Sequence, residues 1–383
     1  MERYYGGYAR DSRRILRHIT DRGLDDLFLA HALSLVQTYA NMARSGPSMD
    51  EIDGPMLALA CRIGFRALQN GSWDPVISTW PKLRNTAMRT QFSFAYVSLT
   101  CTLAIVEDKA GHVDRARELF SELLDSPVFG GMAPRVRCNY LFHAGTFYLW
   151  QGEQQLARRN LEEALTLTSD TLHETDDLPV VDPSGVKLTE MPWPVWGFRA
   201  NTLNQLGNLA MFEERFADAE SIFDECLALI AEYDGLENMA SVVYQSVGRL
   251  YLFQQRYAEA KEVLQRGLHI RKQRQHIDGI ISTSIYLAGS LLGVDQIEAA
   301  EDLLHEVLER CMRHNIQRDT GLCHLYLGKA SWLRGDRQPA LDHWRVSAET
   351  SQRIPYYRQE FHALDEVLTP TELAAVLADF RSH

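Results

Sequence analysis

The sequence predicts an all-α solenoid of about seven helical hairpins with helical caps at both ends. Apolar residues recur at helical spacing along most of the 383 residues, and small residues return at a nearly constant interval. Since a single hairpin cannot bury its own apolar face, a recurring hairpin pattern indicates a stack of hairpins.

The clearest unit spans residues 201–230. The apolar face of its first helix consists of Leu203, Leu206, Gly207 and Ala210, and that of its second consists of Phe216, Ala219, Ile222, Phe223, Cys226 and Leu227. Polar residues 213–215 interrupt the pattern as a turn does. Gly207 and Ala219 are small where two antiparallel helices approach each other closely.

The same pattern recurs along the chain. The markers in the second helices are Val76, Ala116, Ala157, Ala219, Ala260, Ala300 and Ala340. Twelve residues before them stand Gly64, Ala104, Gly145, Gly207, Gly248, Ala288 and Gly328. Successive markers are 40, 41, 62, 41, 40 and 40 residues apart, which predicts seven repeats with one insertion of about 21 residues.

The central unit resembles the tetratricopeptide repeat (TPR). The family pattern of Leu-Gly followed by Ala, an aromatic residue and a small residue appears as Leu206, Gly207, Ala210, Ala219, Phe223 and Cys226. The commoner period is about 34 residues, and the longer period here is similar to that of TPR arrays in bacterial signalling receptors and sensors. The resemblance implies a right-handed superhelix whose first helices line a concave groove.

The predicted segments are an N-terminal helical cap (1–50), repeats 1–3 (51–168), an insertion (169–196), repeats 4–7 (197–368) and a C-terminal capping helix (369–383). The cap contains predicted helices at 12–22 and 25–43, followed by a predicted loop at 45–55. The insertion is acidic and rich in proline. It is either a tolerated surface insertion or a lid over the groove. Thr369, Pro370 and Glu372 predict the start of the last helix.

Composition limits the class of partner. A net charge of -12 argues against nucleic acid, whose binding needs clustered Lys and Arg. No apolar run suggests a membrane span or a secretory signal. The six cysteines form no CxxC pair, which favours a reducing compartment, the cytoplasm. No P-loop, GxGxxG, nucleophile elbow or HExxH motif is present, so we expect no enzyme, cofactor or metal.

The expected groove positions lie on the first helices of the repeats. They are Asn139, Phe142, His143, Trp150, Asn201, Asn204, Asn208, Phe212, Gln245, Arg249 and Phe253. Asn201, Asn204 and Asn208 share one helix face, and their carboxamides can pair with the main chain of an extended peptide. Related peptide-pheromone receptors and chaperone-tail clamps use asparagines and basic residues in this way. The alternative is that the asparagines bond to neighbouring helices or to water.

Two functions fit this pattern. The first is a non-enzymatic module that holds an extended peptide or protein segment in its groove, in signalling or regulation. The second is an assembly scaffold or sensor subunit that binds a folded partner through its convex face or its ends.

Overall fold

The computed structural model describes residues 26–42, 50–69, 73–168, 195–233, 236–274, 277–314, 317–351, 364 and 368–376. The predicted helix at 12–22 and residues 169–194 of the insertion lie outside them. The helices are α1 (Asp26–Met42), α2 (Asp50–Gln69), α3 (Trp73–Arg89), α4 (Ser93–Lys109), α5 (Val113–Asp125), α6 (Pro127–Gly130), α7 (Pro134–Trp150), α8 (Gln154–Leu167), α9 (Val195–Phe212), α10 (Phe216–Glu232), α11 (Glu237–Phe253), α12 (Tyr257–Gln273), α13 (Ile277–Gly293), α14 (Ile297–His314), α15 (Gln317–Arg334), α16 (Arg337–Ser351) and α17 (Pro370–Val376). The described residues contain no β-strand, which confirms the predicted all-α fold class.

The chain forms two compact units. The first comprises residues 1–147 and 166–195, and the second comprises residues 148–165 and 196–383. The first unit contains the hairpins α2/α3 and α4/α5, and the second contains α9/α10, α11/α12, α13/α14 and α15/α16. Helices α7 and α8 are each divided between the units.

Small residues bring the two helices of each hairpin together, as the repeat spacing predicts. A Cβ atom added at Gly207 would lie 2.5 Å from Cε1 of Phe223, and one at Gly248 would lie 2.4 Å from Cγ of Leu264. The seven predicted markers of the second helices have no exposed surface. The helix axes therefore approach to a distance that a larger side chain would prevent.

The described turns inside the hairpins, from α4/α5 to α15/α16, share a recurring backbone geometry. A residue with positive φ occurs in the turns at Gly111, Gly152, Glu214, Gln255, Asp295 and Gly335. The next N–H donates to a carbonyl five residues earlier, as from Arg215 to Ala210 (2.9 Å) and from Arg256 to Tyr251 (2.8 Å). This pattern ends one helix and lets the chain reverse into the next.

Polar side-chain contacts join the helices of the first unit. The Tyr39 hydroxyl donates to Oδ1 of Asp53, which connects α1 with α2. Glu122 on α5 forms an ion pair with Arg84 on α3 and accepts a hydrogen bond of 2.7 Å from the Tyr96 hydroxyl on α4. Three successive helices are thus held by one carboxylate.

The loop predicted for residues 45–55 is wrong for its second half, because α2 begins at Asp50 and includes Pro55. Proline near a helix start forfeits one backbone hydrogen bond but does not prevent the helix. Pro55 is buried, as are Met56 and the residues after it. Burial of this apolar run against neighbouring helices outweighs the turn-forming composition of the segment.

The helix predicted at the C-terminus begins where Thr369 and Pro370 indicate. The Thr369 N–H donates to Oε2 of Glu372 (3.0 Å), and the Glu372 N–H donates to Oγ1 of Thr369 (3.4 Å). This reciprocal pair is a capping box. Arg337 on α16 forms an ion pair of 2.6 Å with Glu372, so the cap also fixes α17 to the last hairpin.

Candidate functional site

A polar pocket lies in the second unit, between the first helices of successive hairpins. Its volume is about 100 Å³. It is lined by Trp150, Asn204, Gln205, Asn208, Val242, Gln245, Ser246, Arg249, Ser282, Tyr286 and Asp319. Apart from Trp150, at the end of α7, these residues lie on α9, α11, α13 and α15. The first helices therefore supply every residue of this lining.

Two buried asparagines of α9 have hydrogen-bonding capacity that the fold leaves unused. Asn204 is 2% exposed and Asn208 is 6% exposed. Their Oδ1 atoms accept no hydrogen bond from any residue that the structure describes. The amino group of Asn208 donates to Oε1 of Gln205 across 3.4 Å, which turns the carbonyl oxygen away from that neighbour.

Gln245 on α11 is oriented by a buried arginine of the following helix. Nη1 of Arg271 donates to Oε1 of Gln245, and the hydroxyls of Ser282 and Thr283 donate to the same oxygen across 3.0 and 3.1 Å. Because guanidinium groups only donate hydrogen bonds, the atom of Gln245 facing Arg271 is the oxygen. Burial lowers the pKa of Arg271 to about 10.

Arg249 supplies a buried positive charge at the pocket wall. Only 4% of the surface of Arg249 is accessible. The guanidinium carbon lies 5.6 Å from the ring centre of Phe212 and 5.1 Å from that of Tyr286. Two aromatic faces thus fix the guanidinium plane by cation–π contact. Asp319 contributes a buried carboxylate to the same wall.

The structure brings together five of the predicted groove residues in this pocket: Trp150, Asn204, Asn208, Gln245 and Arg249. Phe212 does not line the pocket but stacks on Arg249. Asn201 lies one turn before Asn204, with its Nδ2 buried and without a partner among the described residues. Phe253, at the end of α11, is half-buried and lies outside the lining.

The remaining predicted residues, Asn139, Phe142 and His143, belong to the first unit. Asn139 is 3% exposed, and its Oδ1 has no partner among the described residues. The Phe142 and His143 rings meet edge to face at 5.2 Å. Burial lowers the pKa of His143 to about 4, and the positive charge of Lys109 adds to this effect.

Several lining residues were not predicted from the sequence. Tyr286 stands 41 residues after the predicted Gln245, so the repeat register was a usable signal for it. Ser246 stands 41 residues after Gln205, but Gln205 was itself not predicted. Arg271 lies on a second helix, where the sequence pattern points only to packing. No sequence signal identifies it, because its role depends on contacts that form only in the folded hairpins.

The described residues contain no group of three or more His, Cys, Asp and Glu side chains that could hold a metal ion. Within the same residues, every helix is too short or too polar to cross a lipid bilayer.

Comparisons with known proteins agree with the fold. The family model for the tetratricopeptide repeat matches residues 198–273. A Rap protein solved in complex with competence and sporulation factor is similar over 100% of both chains, with 11% identity and a TM-score of 0.56. At this identity the similarity shows a shared fold.

Two further solved structures are similar at lower TM-scores. A tetratricopeptide repeat protein from Parabacteroides merdae has 10% identity and a TM-score of 0.48, covering 84% of this chain and 97% of its own. A signal transduction ATPase with numerous domains and a tetratricopeptide repeat sensor, from Pyrococcus horikoshii, has 12% identity and a TM-score of 0.48, covering 95% and 56%. No curated protein sequence matches this chain significantly.

Proposed function

We propose that this chain, in which residues 198–273 are tetratricopeptide repeats within an array of like hairpins, is a non-enzymatic binding module. It holds an extended peptide or protein segment in the pocket of its second unit and acts in signalling or regulation. The single observation that carries the proposal is the pair of buried, unused carbonyl oxygens of Asn204 and Asn208 at the pocket wall.

The energetic cost of burying polar atoms without hydrogen bonds explains why this pair suggests a ligand. A buried polar group without a partner destabilises a fold by about 1–3 kcal/mol. Apolar residues at positions 204 and 208 would avoid this cost in a protein that used α9 only for packing. Two asparagines on one pocket face instead suggest that the missing hydrogen bonds form when a partner binds.

The type of partner follows from the lining. Carboxamides and hydroxyls recognise main-chain N–H and C=O groups, which every extended segment presents. Tetratricopeptide repeats belong to the solenoids whose stacked helices form binding surfaces for other proteins. The Rap complex with competence and sporulation factor supports this choice by analogy, while the pocket residues of this chain carry the argument.

All six cysteines are buried thiols that form no disulfide, which is compatible with the reducing compartment, such as the cytoplasm, that forms part of this proposal.

A peptide selection tests the proposal. We would pan a phage-displayed library of random dodecapeptides against the immobilised full-length protein and measure affinities of the enriched peptides by titration calorimetry. The double variant Asn204→Ala with Asn208→Ala should bind these peptides at least tenfold more weakly, since each lost hydrogen bond contributes about 1 kcal/mol.

A matched control is Asn160→Ala, which removes a buried asparagine of α8 that does not line the pocket. It should leave affinity unchanged. Unchanged affinity in the Asn204/Asn208 double variant would refute the site. If no peptide were enriched and crosslinks to a co-purified protein fell outside the pocket, the scaffold or sensor function would replace the peptide-binding one.

A further inference from the structure

We infer that Arg271 is a positioning residue that fixes the carboxamide of Gln245, so that the pocket accepts an amide group of the bound segment in one orientation only. The inference rests on the proposed function and deepens it. It concerns a residue on a second helix, outside the face on which the sequence pattern places ligand contacts.

Arg271 is buried among neutral polar groups. Arg271 is 6% exposed and forms no ion pair with a carboxylate in the described part of the chain. The acceptors within hydrogen-bond distance of its N–H groups are all neutral: the Gly279 carbonyl at 2.6 Å, Ser282 Oγ at 3.2 Å, Ser241 Oγ at 3.3 Å, Thr283 Oγ1 and Gln245 Oε1. A buried guanidinium with only neutral partners holds those partners strongly, because charge-assisted hydrogen bonds are about twice as strong as neutral ones.

The carboxamide of Gln245 uses its oxygen within the fold and leaves its amino group facing the pocket. Its Oε1 is occupied by Arg271 and by the Ser282 and Thr283 hydroxyls. The amino group forms no hydrogen bond with a described residue, and the side chain lines the pocket. Rotating the carboxamide by half a turn would place N–H groups against the guanidinium, which only donates. Gln245 therefore offers the pocket donors and no acceptor.

Helix α9 supplies the complementary part of the pocket lining. Asn204 and Asn208 present carbonyl oxygens that lack donors within the described residues. The α9 side chains of the lining thus offer acceptors, and Gln245 on α11 offers a donor. In a trans peptide unit the C=O and N–H bonds point in opposite directions. A peptide unit that lies between these side chains satisfies both when its N–H points to α9 and its C=O points to Gln245.

The first experiment replaces Gln245 by a residue of the same shape. Gln245→Glu gives Arg271 a carboxylate partner and places an oxygen where the donor was. We expect a higher unfolding temperature together with at least tenfold weaker binding of the enriched dodecapeptides. The matched control is Gln254→Glu, because Oε1 of Gln254 accepts from Arg256 Nη1 (2.9 Å) outside the pocket. It should leave the affinity unchanged.

The uncharged variant Gln245→Met separates hydrogen bonding from charge. It removes the donor without adding a negative charge, so it should also weaken binding about tenfold. Unchanged affinity in Gln245→Glu and Gln245→Met would overturn the inference. The proposed function would survive that result if the Asn204/Asn208 double variant still lost binding, so the two failures are distinguishable.

The second experiment is a double-mutant cycle for Arg271 itself. If Arg271 acts through Gln245, Arg271→Met should weaken binding about tenfold in the wild-type background and have little further effect in the Gln245→Met background. Equal losses in both backgrounds would show that Arg271 serves the fold alone and would overturn its positioning role. Circular dichroism at the titration temperature would verify that each variant is folded.

The third experiment addresses the peptide. Each backbone amide of one enriched dodecapeptide is replaced in turn by an ester, which removes a single N–H donor. One ester position should weaken binding about tenfold to the wild type and have a much smaller effect on binding to Asn204→Ala. The absence of any such position in a peptide that binds the wild type would contradict the proposed orientation.

Discussion

Buried asparagines occur in two regions of the second unit, and the fold treats them differently. Asn160 on α8 is 5% exposed and donates a hydrogen bond of 2.8 Å to the Leu156 carbonyl of its own helix. Asn204 and Asn208 on α9 are as deeply buried but leave their carbonyl oxygens without a partner among the described residues. Asn160 thus has a hydrogen-bond partner within its own helix, whereas the fold leaves the carbonyl oxygens of Asn204 and Asn208 without a donor among the described residues.

The same distinction runs around α9. One face carries Gly207, which contacts the ring of Phe223 and serves close packing. The neighbouring face carries Asn208 and serves the pocket. Substitutions on the two faces should therefore change different quantities: the free energy of unfolding on the first and ligand affinity on the second.

The largest expected change in the free energy of unfolding comes from a substitution on the packed face of α9. Gly207→Val adds side-chain atoms where a Cβ already meets the Phe223 ring at 2.5 Å, so it should destabilise the protein by about 3 kcal/mol or more. Urea denaturation measures this change. Gly130→Ala is the control, because a Cβ there has no neighbour within 4 Å. A Gly207→Val protein as stable as the wild type would refute the close helix packing.

The next-largest expected effect is a difference in the free energy of unfolding between alanine variants of the two kinds of asparagine. Asn160→Ala should destabilise the protein by about 1–2 kcal/mol, because it removes a satisfied buried hydrogen bond. Asn204→Ala should change the free energy of unfolding by less than about 1 kcal/mol, because the loss of packing is offset by removal of an unsatisfied buried oxygen. Equal destabilisation by the two variants, measured by urea denaturation, would contradict the claim that Asn160 stabilises the fold more than Asn204 does.

The stability contributed by the C-terminal cap should change with pH, and this effect is smaller than the two above. Hydrogen bonds from Thr369 and the ion pair with Arg337 lower the pKa of Glu372 to about 2. Because the folded-state pKa lies below the usual value of 4.5, the stabilisation is complete above that pH and declines as the pH falls towards 2.

Thermal unfolding of the wild type and Glu372→Gln at several pH values measures this contribution. The difference between their unfolding temperatures should shrink below about pH 4.5. Glu309→Gln, at an exposed position of α14, is the control and should show no such trend. A difference that is constant with pH would contradict the role of the Glu372 charge.

The smallest effect concerns the turns. Gln255 has a φ of 59°, a conformation that disfavours residues with a Cβ, so Gln255→Gly should stabilise the protein by about 0.5 kcal/mol after the entropy of glycine is subtracted. Gln254, with a φ of -82°, provides the control, since Gln254→Gly should destabilise slightly. Differential scanning calorimetry can measure both changes. Destabilisation by Gln255→Gly would show that the side chain contributes more than the strain costs.

Much of the fold follows from the sequence because close packing restricts which residues fit. Gly207 and Ala219 are required by helix proximity, so their spacing alone predicted the hairpins. Residues 50–55 were mispredicted because their local turn preference is overridden by burial of the apolar run that follows.

The sequence could predict those residues of the candidate site whose positions follow the repeat register. That register identified Asn204, Asn208, Gln245 and Arg249. It missed Arg271, whose position on a second helix resembles that of a surface residue until the neighbouring hairpin covers it.

The most direct measurement of the central claim is a nuclear magnetic resonance titration of protein labelled with ¹⁵N at asparagine side chains. On addition of an enriched dodecapeptide, the side-chain amide signals of Asn204 and Asn208 should shift while that of Asn160 stays in place. Binding that leaves the Asn204 and Asn208 signals unchanged would contradict the account.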